Sequence, residues 1–574
     1  MKKLSFLLAI LLLLSVCTMT ACKEKKPEDT TPQSTTPEET TPAPGATVVH
    51  ASVSLEELAN YEIVVAKSSS EETDKLTKEL QQAMQNVFDL PFTLKTENAY
   101  NETQYEILIG ETARKESTEF LSKYNMTWRD YGYAIVGDKL VIRGTNEDGT
   151  LEALRAFLSY VRGHNKSEVF FTNANLYLVT DTSYPFPNLT INGIAAKQLS
   201  ILCNEESLGG VAQIIRDAII EASGIAVPIV TDKEIDVLEN AIIVGDTSFI
   251  DIEAVPDEIA YSTGREYYID TSWGGVWLRA KTAAGYYSAA TKIVAQFSGK
   301  GGDNVVITNS DGKGEDAIAV MSFNLMAGAQ KGDKRVDRVI QTILKYRPAV
   351  IGVQEATDNW MNILRERLGD TYTVVGVGRN ADGGDEHSAI LYLTEEFDCI
   401  ESGTKWLSDT PDVPGSKFDA AHYTRIMTYA HLSRKSDGKE FLHVNTHLDY
   451  TLRPDEEELQ VAQINVLLSE IARFSNVPTI ITGDFNATAD SLVHRVLTDA
   501  GYTDTAVYIP ASDRAPTYHG LMGTTGEPSH IDFIFNKGMA YNSYYRICTE
   551  RVNNENVSDH YPIFAILSFP DQGK

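Results

Sequence analysis

The sequence predicts a multidomain protein of the mixed α/β class. Its 574 residues exceed what one hydrophobic core holds, and its 43% hydrophobic content is ordinary for a globular chain. Apolar runs of strand length alternate with helical stretches such as residues 335–344 and 456–474. Helices that alternate with strands pack on the faces of sheets, which is the basis of this prediction. We divide the chain into an export segment (1–22), a Thr/Pro-rich tether (23–50), two α+β modules (51–185 and 186–312) and a C-terminal α/β domain (317–570).

The first residues have the pattern of an export signal. Lys2 and Lys3 precede an apolar run over residues 4–16, which is too short to span a membrane comfortably. The sequence Met-Thr-Ala-Cys that ends at Cys22 resembles the processing box of bacterial lipoproteins, which implies cleavage before Cys22 and a lipid on that residue. A plain secretory peptide cut elsewhere is the alternative. We therefore expect an extracytoplasmic protein that is lipid-anchored to the bacterial cell membrane.

Composition limits the partners. The net charge is -30 and the pI is about 4.8, so no broad basic surface for nucleic acid is expected. A nuclease is still compatible with this charge, because a bound metal supplies local positive charge. Cys203, Cys399 and Cys548 are too far apart for a disulfide framework or a zinc motif.

Residues 51–312 contain an internal repeat. The segment YEILIGET in the first copy corresponds to NAIIVGDT in the second, and each copy has a helix before this strand and a hairpin and a helix after it. The helices are expected over residues 71–88 and 210–223. The pattern predicts two α+β modules in which helices cover one face of a small sheet.

Both modules resemble the small accessory domain that precedes the barrel in bacterial β-hexosaminidases. The resemblance implies a non-catalytic role, as a spacer or as a platform that contacts glycans. Trp273 and Trp277 are candidates for stacking on a sugar, with core packing as the alternative.

Polar residues follow several apolar strands of the C-terminal domain. The apolar run over residues 477–481 predicts a buried strand that Gly483 ends with a turn, after which Asp484 and Asn486 point the same way. An Asx-turn that caps backbone amides is the alternative. Other acidic and amide side chains at predicted strand ends are Asn324, Glu355 and Asp559, the last beside His560. Together these groups predict an oxygen-ligand site for a hard divalent cation.

Six segments of this domain, SFNL, GVQEA, NTHLDY, TGDFNA, HIDFIF and SDHYPI, resemble in this order the endonuclease/exonuclease/phosphatase superfamily. Its members include pancreatic-type deoxyribonuclease, abasic-site endonucleases, inositol polyphosphate phosphatases and neutral sphingomyelinases. The resemblance covers residues 317 to about 569. It implies a four-layer α/β sandwich and hydrolysis of a phosphoester by water with Mg²⁺ or Mn²⁺ as cofactor.

The resemblance also assigns roles. Glu355 is the principal metal ligand, with Asn324 and Asp559 beside the metal. Asp484 orients and deprotonates the attacking water, and Asn486 holds a phosphate oxygen. The remaining pair is His560, which contacts the phosphate, and Asp532, which orients this histidine.

A second histidine and the cleft walls complete the predicted site. We expect His447 to pair with Glu386, with Asp449 as the competing partner. Arg425 matches a phosphate-contacting arginine, and a surface salt bridge is its alternative. Further predicted substrate contacts are His387, Trp406 and His519, with Tyr518 and His530 as additional wall residues.

The predicted function is a divalent-metal-dependent phosphohydrolase, a phosphodiesterase or a phosphatase, that acts outside the cytoplasm. The alternatives are a secreted nuclease and a non-catalytic glycan-binding surface lipoprotein. A glycine-rich stretch at residues 381–385 replaces the DNA-gripping segment of the abasic-site endonucleases, which argues against sequence-independent DNA binding.

Overall fold

Four six-stranded sheets organise the chain, two within residues 52–313 and two within residues 317–569. The computed structural model describes residues 52–98, 102–250, 266–271, 274–298, 304–313, 317–328, 332–450, 457–507, 509, 514–523, 528–539 and 541–569. The predicted export segment, Cys22, the tether and Trp273 lie outside these residues. Within them, no helix has both the length and the apolar character that a membrane span requires. The mixed α/β class is confirmed.

The first module has one helix-covered sheet of strand order β3-β2-β4-β6-β5-β8. Its elements are β1 (Ser52–Ser54), α1 (Leu55–Leu58), β2 (Glu62–Val65), α2 (Glu71–Phe88), β3 (Leu94–Thr96), β4 (Glu106–Ile109), α3 (Lys115–Lys123), β5 (Tyr131–Val136), β6 (Lys139–Gly144), α4 (Glu147–Arg162), β7 (Val169–Thr172) and β8 (Tyr177–Val179). Strands β2, β3, β4 and β6 run parallel, and β5 returns antiparallel to β6.

The second module repeats this topology with the order β12-β11-β13-β15-β14-β17. Its elements are β9 (Thr190–Ile191), β10 (Ile194–Ala195), β11 (Ser200–Cys203), α5 (Gly209–Ser223), β12 (Ile229–Val230), β13 (Ala241–Val244), β14 (Glu266–Asp270), β15 (Val276–Ala280), α6 (Ala283–Val294), β16 (Asn304–Val305) and β17 (Ser310–Lys313). Here too four strands are parallel and a hairpin reverses the direction. Trp277 is buried and donates from its indole N–H to Gly245 O at 2.8 Å, so core packing explains this residue and sugar stacking does not.

The C-terminal domain has two sheets, ordered β20-β21-β19-β18-β29-β28 and β22-β23-β24-β25-β27-β26. Its elements are β18 (Ala317–Asn324), α7 (Lys334–Tyr346), β19 (Val350–Ala356), α8 (Asp358–Leu368), β20 (Tyr372–Val375), β21 (His387–Leu393), β22 (Phe397–Trp406), β23 (Ile426–Arg434), β24 (Glu440–His447), α9 (Glu457–Ile471), β25 (Thr479–Asp484), α10 (Leu492–Asp499), β26 (Thr503–Asp504), α11 (Gly520–Gly523), β27 (Asp532–Lys537), β28 (Tyr541–Ile547) and β29 (Ile563–Ser568). Helices α7 and α8 cover the first sheet, and α9 and α10 cover the second. The expected four-layer sandwich is confirmed.

A buried polar network joins the two sheets beneath their strand ends. Asn445 donates from Nδ2 to the carbonyl oxygens of Val353 (2.8 Å) and Ala389 (2.9 Å) on the opposite sheet, and its Oδ1 accepts from Gln354 at 2.7 Å. Gly352 permits this approach, because a Cβ there would lie 2.0 Å from Thr482 Oγ1. The Asn445 amide, with both of its donors and its acceptor used, fixes the register between the sheets.

The predicted turn at Gly483 is wrong. Strand β25 continues through Gly483 to Asp484. A Cβ on Gly483 would lie 2.7 Å from Thr446 O on the neighbouring strand, so this glycine allows close backbone packing within the sheet.

The second module and the C-terminal domain share one apolar core, which runs from Phe186 to Phe569 in the chain. Helix α5 lies directly on α7, because a Cβ at Gly210 would come within 2.8 Å of Tyr346 Cα. The hydroxyl of Tyr287 donates to Tyr346 O across the same contact. Residues 51–574 form one compact unit, and the second module is not a detached spacer.

Candidate active site

Asn324, at the end of β18, connects the two sheets where their strands finish. It is fully buried, and its Nδ2 donates to Glu355 Oε1 at 3.1 Å and to Asp484 Oδ2 at 3.0 Å. Its Oδ1 accepts from Met326 N at 3.0 Å. Asn324 therefore orients two carboxylates through Nδ2. Its Oδ1 keeps a second lone pair beside the backbone contact, so its predicted place beside the metal stays a prediction.

Glu355 lies at a bulge near the end of β19. The register against β21 shifts between Val353 and Ala356, and Glu355 has a left-handed backbone with φ 55°. A non-glycine residue in this conformation is strained, and such strain is common at functional sites. The bulge turns the carboxylate into the cleft, where Oε2 also accepts from Ala327 N at 2.8 Å.

Asp484 and Asn486 form the opposite side of this cluster. Asn486 has φ 47° and donates from its backbone N–H to Asp484 Oδ1 at 2.9 Å, so the Asx-turn is present as well as the cleft-facing carboxylate. Burial and the neighbouring Asp532 raise the pKa of Asp484 to about 7. Asp484 is thus suited to accept a proton near neutral pH.

His560 and Asp532 form a buried pair next to Asp484. Asp532 lies opposite Asp484 on β27, and its Oδ2 is 2.9 Å from His560 Nδ1. The other ring nitrogen, Nε2, lies 3.7 Å from Asp484 Oδ2. Burial opposes the charge, but Asp532 and then Asp484 raise the pKa of His560 to about 10. The imidazole is therefore cationic over the neutral range, as predicted for a phosphate contact.

Asp559 is held at the cleft by its neighbour Ser558. The Ser558 hydroxyl donates to Asn324 O at 2.7 Å and lies 3.1 Å from Asp559 Oδ1. Burial raises the pKa of Asp559, and the negative charge of Glu355 adds to this effect. Both carboxylates line the same cleft, which has a volume of about 600 Å³.

His447 has a different partner from the one predicted. Its Nε2 is 3.0 Å from Asn486 Nδ2, and within the described part of the chain it has no hydrogen bond to Glu386 or Asp449. Burial lowers the pKa of His447 well below its ordinary value, so the neutral ring accepts the Asn486 amide. The second amide hydrogen of Asn486 goes to Leu448 O at 3.1 Å. Asn486 therefore has no free donor for a phosphate oxygen, and its side-chain oxygen remains as an acceptor.

Glu386 and Asp449, the two acids predicted as partners of His447, bind other groups. Glu386 pairs with Arg379, with 2.6 Å between Oε2 and Nη1. Asp449 is fully buried and accepts from the backbone N–H of His422 (2.7 Å) and Tyr423 (3.2 Å). Asp449 thus fixes the loop that carries Tyr423.

Arg425 lies in the cleft wall as predicted. Its side chain is buried, its nearest carboxylates, those of Asp449 and Glu386, are 3.8 and 3.9 Å away, and its Nε has no hydrogen-bond partner within the described residues. A buried guanidinium without close partners is costly unless an anion binds it. The surface-salt-bridge alternative does not fit this burial.

The comparisons with known proteins concern this C-terminal part. Residues 321–560 match the model of the Endonuclease/Exonuclease/phosphatase family. This region is an endonuclease/exonuclease/phosphatase domain. The uncharacterized protein L388 of Acanthamoeba polyphaga mimivirus is 27% identical over 44% of this chain and 100% of its own length.

Two solved structures cover the same domain. An endonuclease/exonuclease/phosphatase from Bacteroides vulgatus is 27% identical, with 44% of this chain and 99% of that chain covered and a TM-score of 0.40. A mannosyl-6-phosphatase from Bacteroides thetaiotaomicron is 29% identical, with 44% and 100% covered and a TM-score of 0.38. Proteins of the endonuclease/exonuclease/phosphatase family are hydrolases that act on phosphoesters.

Several predicted wall residues of the domain support the cleft from behind. Trp406 donates to Arg379 O at 2.7 Å, and His387 Nδ1 lies 2.9 Å from Ala356 O. His519 stacks on Tyr561 at 4.3 Å. All three, like His530, are buried and are not among the residues that line the cleft. Their predicted contacts with substrate therefore stay predictions, and the cleft lining does not support them.

Sequence reasoning missed a cationic and aromatic part of the cleft. Arg379 lines it together with Tyr423 and Tyr450, and the Arg379 and Arg425 guanidiniums lie 5.1 and 5.3 Å from the Tyr423 ring centre. Tyr423 is 45% exposed. The one sequence signal was the position of Arg379 two residues before the glycine-rich stretch at residues 381–385.

Two separate sets of donors in the described part of this domain suit a cation. Ligand atoms of Asp484, Asp532 and His560 lie within 4.8 Å of one another, but Asp532 and His560 already bind each other. Glu355 and Asp559 instead present carboxylate oxygens to the open cleft. Carboxylates are the preferred ligands of hard divalent ions, so this second pair fits Mg²⁺ or Mn²⁺.

Proposed function

We propose that this protein is a divalent-metal-dependent phosphohydrolase, a phosphodiesterase or a phosphatase. The observation that carries the proposal is the position of Asn324, whose amide contacts Glu355 and Asp484 at 3.1 and 3.0 Å and so brings strand ends of both sheets to one point. A buried general base, a cationic histidine and paired carboxylates then share one cleft of about 600 Å³. This set is what hydrolysis of a phosphoester requires.

We assign the metal to Glu355 and Asp559, with Asn324 orienting Glu355. When bound, Mg²⁺ or Mn²⁺ supplies positive charge to the phosphate oxygens. The protein itself supplies a second region of positive charge through Arg425, whose nearest carboxylates in the described part of the chain are 3.8 and 3.9 Å away. A phosphate bound between the metal and Arg425 would balance the positive charge of both.

The remaining residues act on the water and the phosphorus centre. Asp484 accepts a proton from water, and the Asn486 side-chain oxygen orients the second O–H. The oxygen of that water forms a bond to phosphorus as the bond to the ester oxygen breaks, and the ester oxygen leaves with the electron pair. His560 donates from Nε2 to a phosphate oxygen, while Asp532 keeps the ring charged and aligned.

The proposed location rests on sequence features. We propose that the enzyme acts outside the cytoplasm, held at the membrane by a lipid on Cys22 after an extended tether. Its substrate is a phosphoester. Glycan contact by the modules is a further proposal, and the burial of Trp277 does not support it.

A chelation assay tests the proposed function. We expect purified protein to hydrolyse bis(p-nitrophenyl) phosphate or p-nitrophenyl phosphate with Mg²⁺ or Mn²⁺, to lose this activity with EDTA, and to regain it when the metal is added back. Release of p-nitrophenol at 405 nm measures the rate. Equal rates with and without EDTA, or no hydrolysis of these esters, sphingomyelin, DNA or RNA under any metal, would refute the proposal.

The pH profile tests the assigned protonation states. Activity should rise as Asp484 loses its proton near pH 7 and fall as His560 loses its proton near pH 10. The D532N substitution removes the charge that raises both pKa values, so both limbs should move to lower pH by about one unit or more. The profile of kcat against pH measures this. E440Q, which alters the His431–Glu440 pair (2.9 Å) outside the cleft, should leave the profile unchanged.

A further inference from the structure

Residues 551–556 connect β28 to Asp559 and His560 by way of a tight turn. Val552 and Glu555 exchange backbone hydrogen bonds of 3.0 and 3.1 Å, and Asn553 and Asn554 between them have φ 55° and φ 60°. Two successive left-handed residues are typical of a type I′ turn. The turn belongs to the C-terminal domain in sequence, but the first module holds it in place.

Arg551 is the main link. Its Nε and Nη2 donate to Asp148 Oδ1 at 3.0 and 2.8 Å, and Glu72 lies 3.7 Å away. The Arg551 side chain is only 6% exposed, so the carboxylates of Asp148 and Glu72 stabilise its positive charge in place of water. Asp148 is in the first turn of α4 and Glu72 is in the first turn of α2.

Two more contacts fix the tip of the turn. Glu555 Oε1 accepts from the backbone N–H of Glu71 at 2.7 Å, at the N-terminus of α2, where a carboxylate satisfies a helix amide and its dipole. Asn554 Nδ2 donates to Ser68 O at 2.7 Å. The turn is thus bound at three of its residues by the first module.

The segment from this turn to Asp559 is short and is fixed by hydrogen bonds. Only two residues separate Glu555 from Ser558, and Asn556 O accepts from Arg338 Nε at 2.9 Å. Ser558 then bonds to Asn324 O at 2.7 Å, and Asp559 and His560 follow. A shift of the turn would therefore be transmitted to both catalytic side chains, and misplacement by about 1 Å costs about 10²-fold in rate.

We propose that the first module is a positioning element of the active site, which acts through Arg551, Asp148 and Glu555 to set the place of Asp559 and His560. The proposal rests on the proposed function for its kinetic consequence. It assigns the module a task within catalysis. A module that acted only as a spacer or as a glycan platform would not need to hold this turn. Asp148, Arg551 and Glu555 are positioning residues and do not touch the cleft.

Full-length D148A and R551A variants test this proposal. We expect each to lower kcat for the p-nitrophenyl ester at least about tenfold with KM within about twofold, because binding groups stay and alignment is lost. The double variant should fall no further than the single ones, and R551K should recover part of the loss. D181A, which breaks the Arg129–Asp181 pair (3.1 Å) of the same module, is the matched control and should keep full activity.

Amide hydrogen exchange gives a second measurement that needs no activity. Residues 557–561 should exchange faster in D148A and in E555A, which removes the acceptor for Glu71 N, while residues 479–486 of β25 exchange at the wild-type rate. E555A also replaces D148A where that variant fails to fold. Unchanged kcat in D148A, or unchanged exchange over residues 557–561, would overturn the proposal. An inactive wild-type protein would refute the proposed function alone, since the exchange experiment still decides the role of the module.

Discussion

Substitution of Glu355 by glutamine is expected to lower kcat on the order of 10³-fold, which corresponds to roughly 4 kcal/mol of transition-state stabilisation. Glutamine keeps the volume and can still accept from Ala327 N, the contact that Glu355 Oε2 makes at 2.8 Å. It loses the negative charge that, with Asp559, is assigned to the metal. The kinetic measurement is kcat at saturating Mg²⁺, and calorimetric titration with Mn²⁺ should show the matching loss of affinity.

The fold should survive this change. A carboxylate at this bulge lies next to Asp559 and Asp484, so removal of its charge relieves repulsion and the melting temperature should stay level or rise. E401Q, at an exposed glutamate paired with Arg473, serves as control and should keep full activity. An E355Q protein with wild-type kcat at low Mg²⁺ would show that the metal assignment is wrong.

Substitution of His560 by glutamine should lower kcat by about 10²- to 10³-fold, because the charged donor to the phosphate is lost. This variant should also be less stable, since Asp532 is then a buried carboxylate that has lost its main partner. The cost of such an unpaired charge is roughly 3 kcal/mol. Kinetics and chemical denaturation measure the two effects separately.

The double variant H560Q/D532N distinguishes catalysis from folding. The neutral amide pair should restore most of the lost stability, because neither buried group is then charged, and activity should stay as low as in H560Q. Recovery of activity together with stability would mean that His560 has only a structural role. The His494–Asp504 pair, at 3.0 Å in the same domain but outside the cleft, offers a control, and H494Q should lower stability without the loss of kcat.

Much of the site could be predicted because it lies where strands end. Asn324, Glu355 and Asp484 follow apolar runs, and the ends of packed strands converge at one edge. The helices were predictable for a similar reason: the pattern over residues 71–88 matches α2, and residues 210–223 match α5 within one position. Local periodicity is enough where one face of an element must be buried.

Pairings between distant side chains could not be predicted. The partner of Glu386 is Arg379, seven residues earlier, because a loop folds back across the cleft wall. The Asn486 amide binds His447, and this choice of partner goes with a left-handed backbone at Asn486 that residue type alone does not indicate. The ion pair between Arg551 and Asp148 joins residues 403 positions apart, and no local sequence pattern indicates such a contact.

The apolar core common to the second module and the C-terminal domain determines which fragments of this protein can be produced in soluble form. Phe564 of β29 is covered partly by Tyr287, with ring centres 5.4 Å apart, so a chain that began at residue 317 would expose this face to solvent. Exposed aromatic surface of this kind promotes aggregation. We therefore expect a fragment that begins at residue 186 to stay soluble where one that begins at residue 317 aggregates, and the proposed role of the first module predicts full activity only for fragments that also include residues from Ser52 onward.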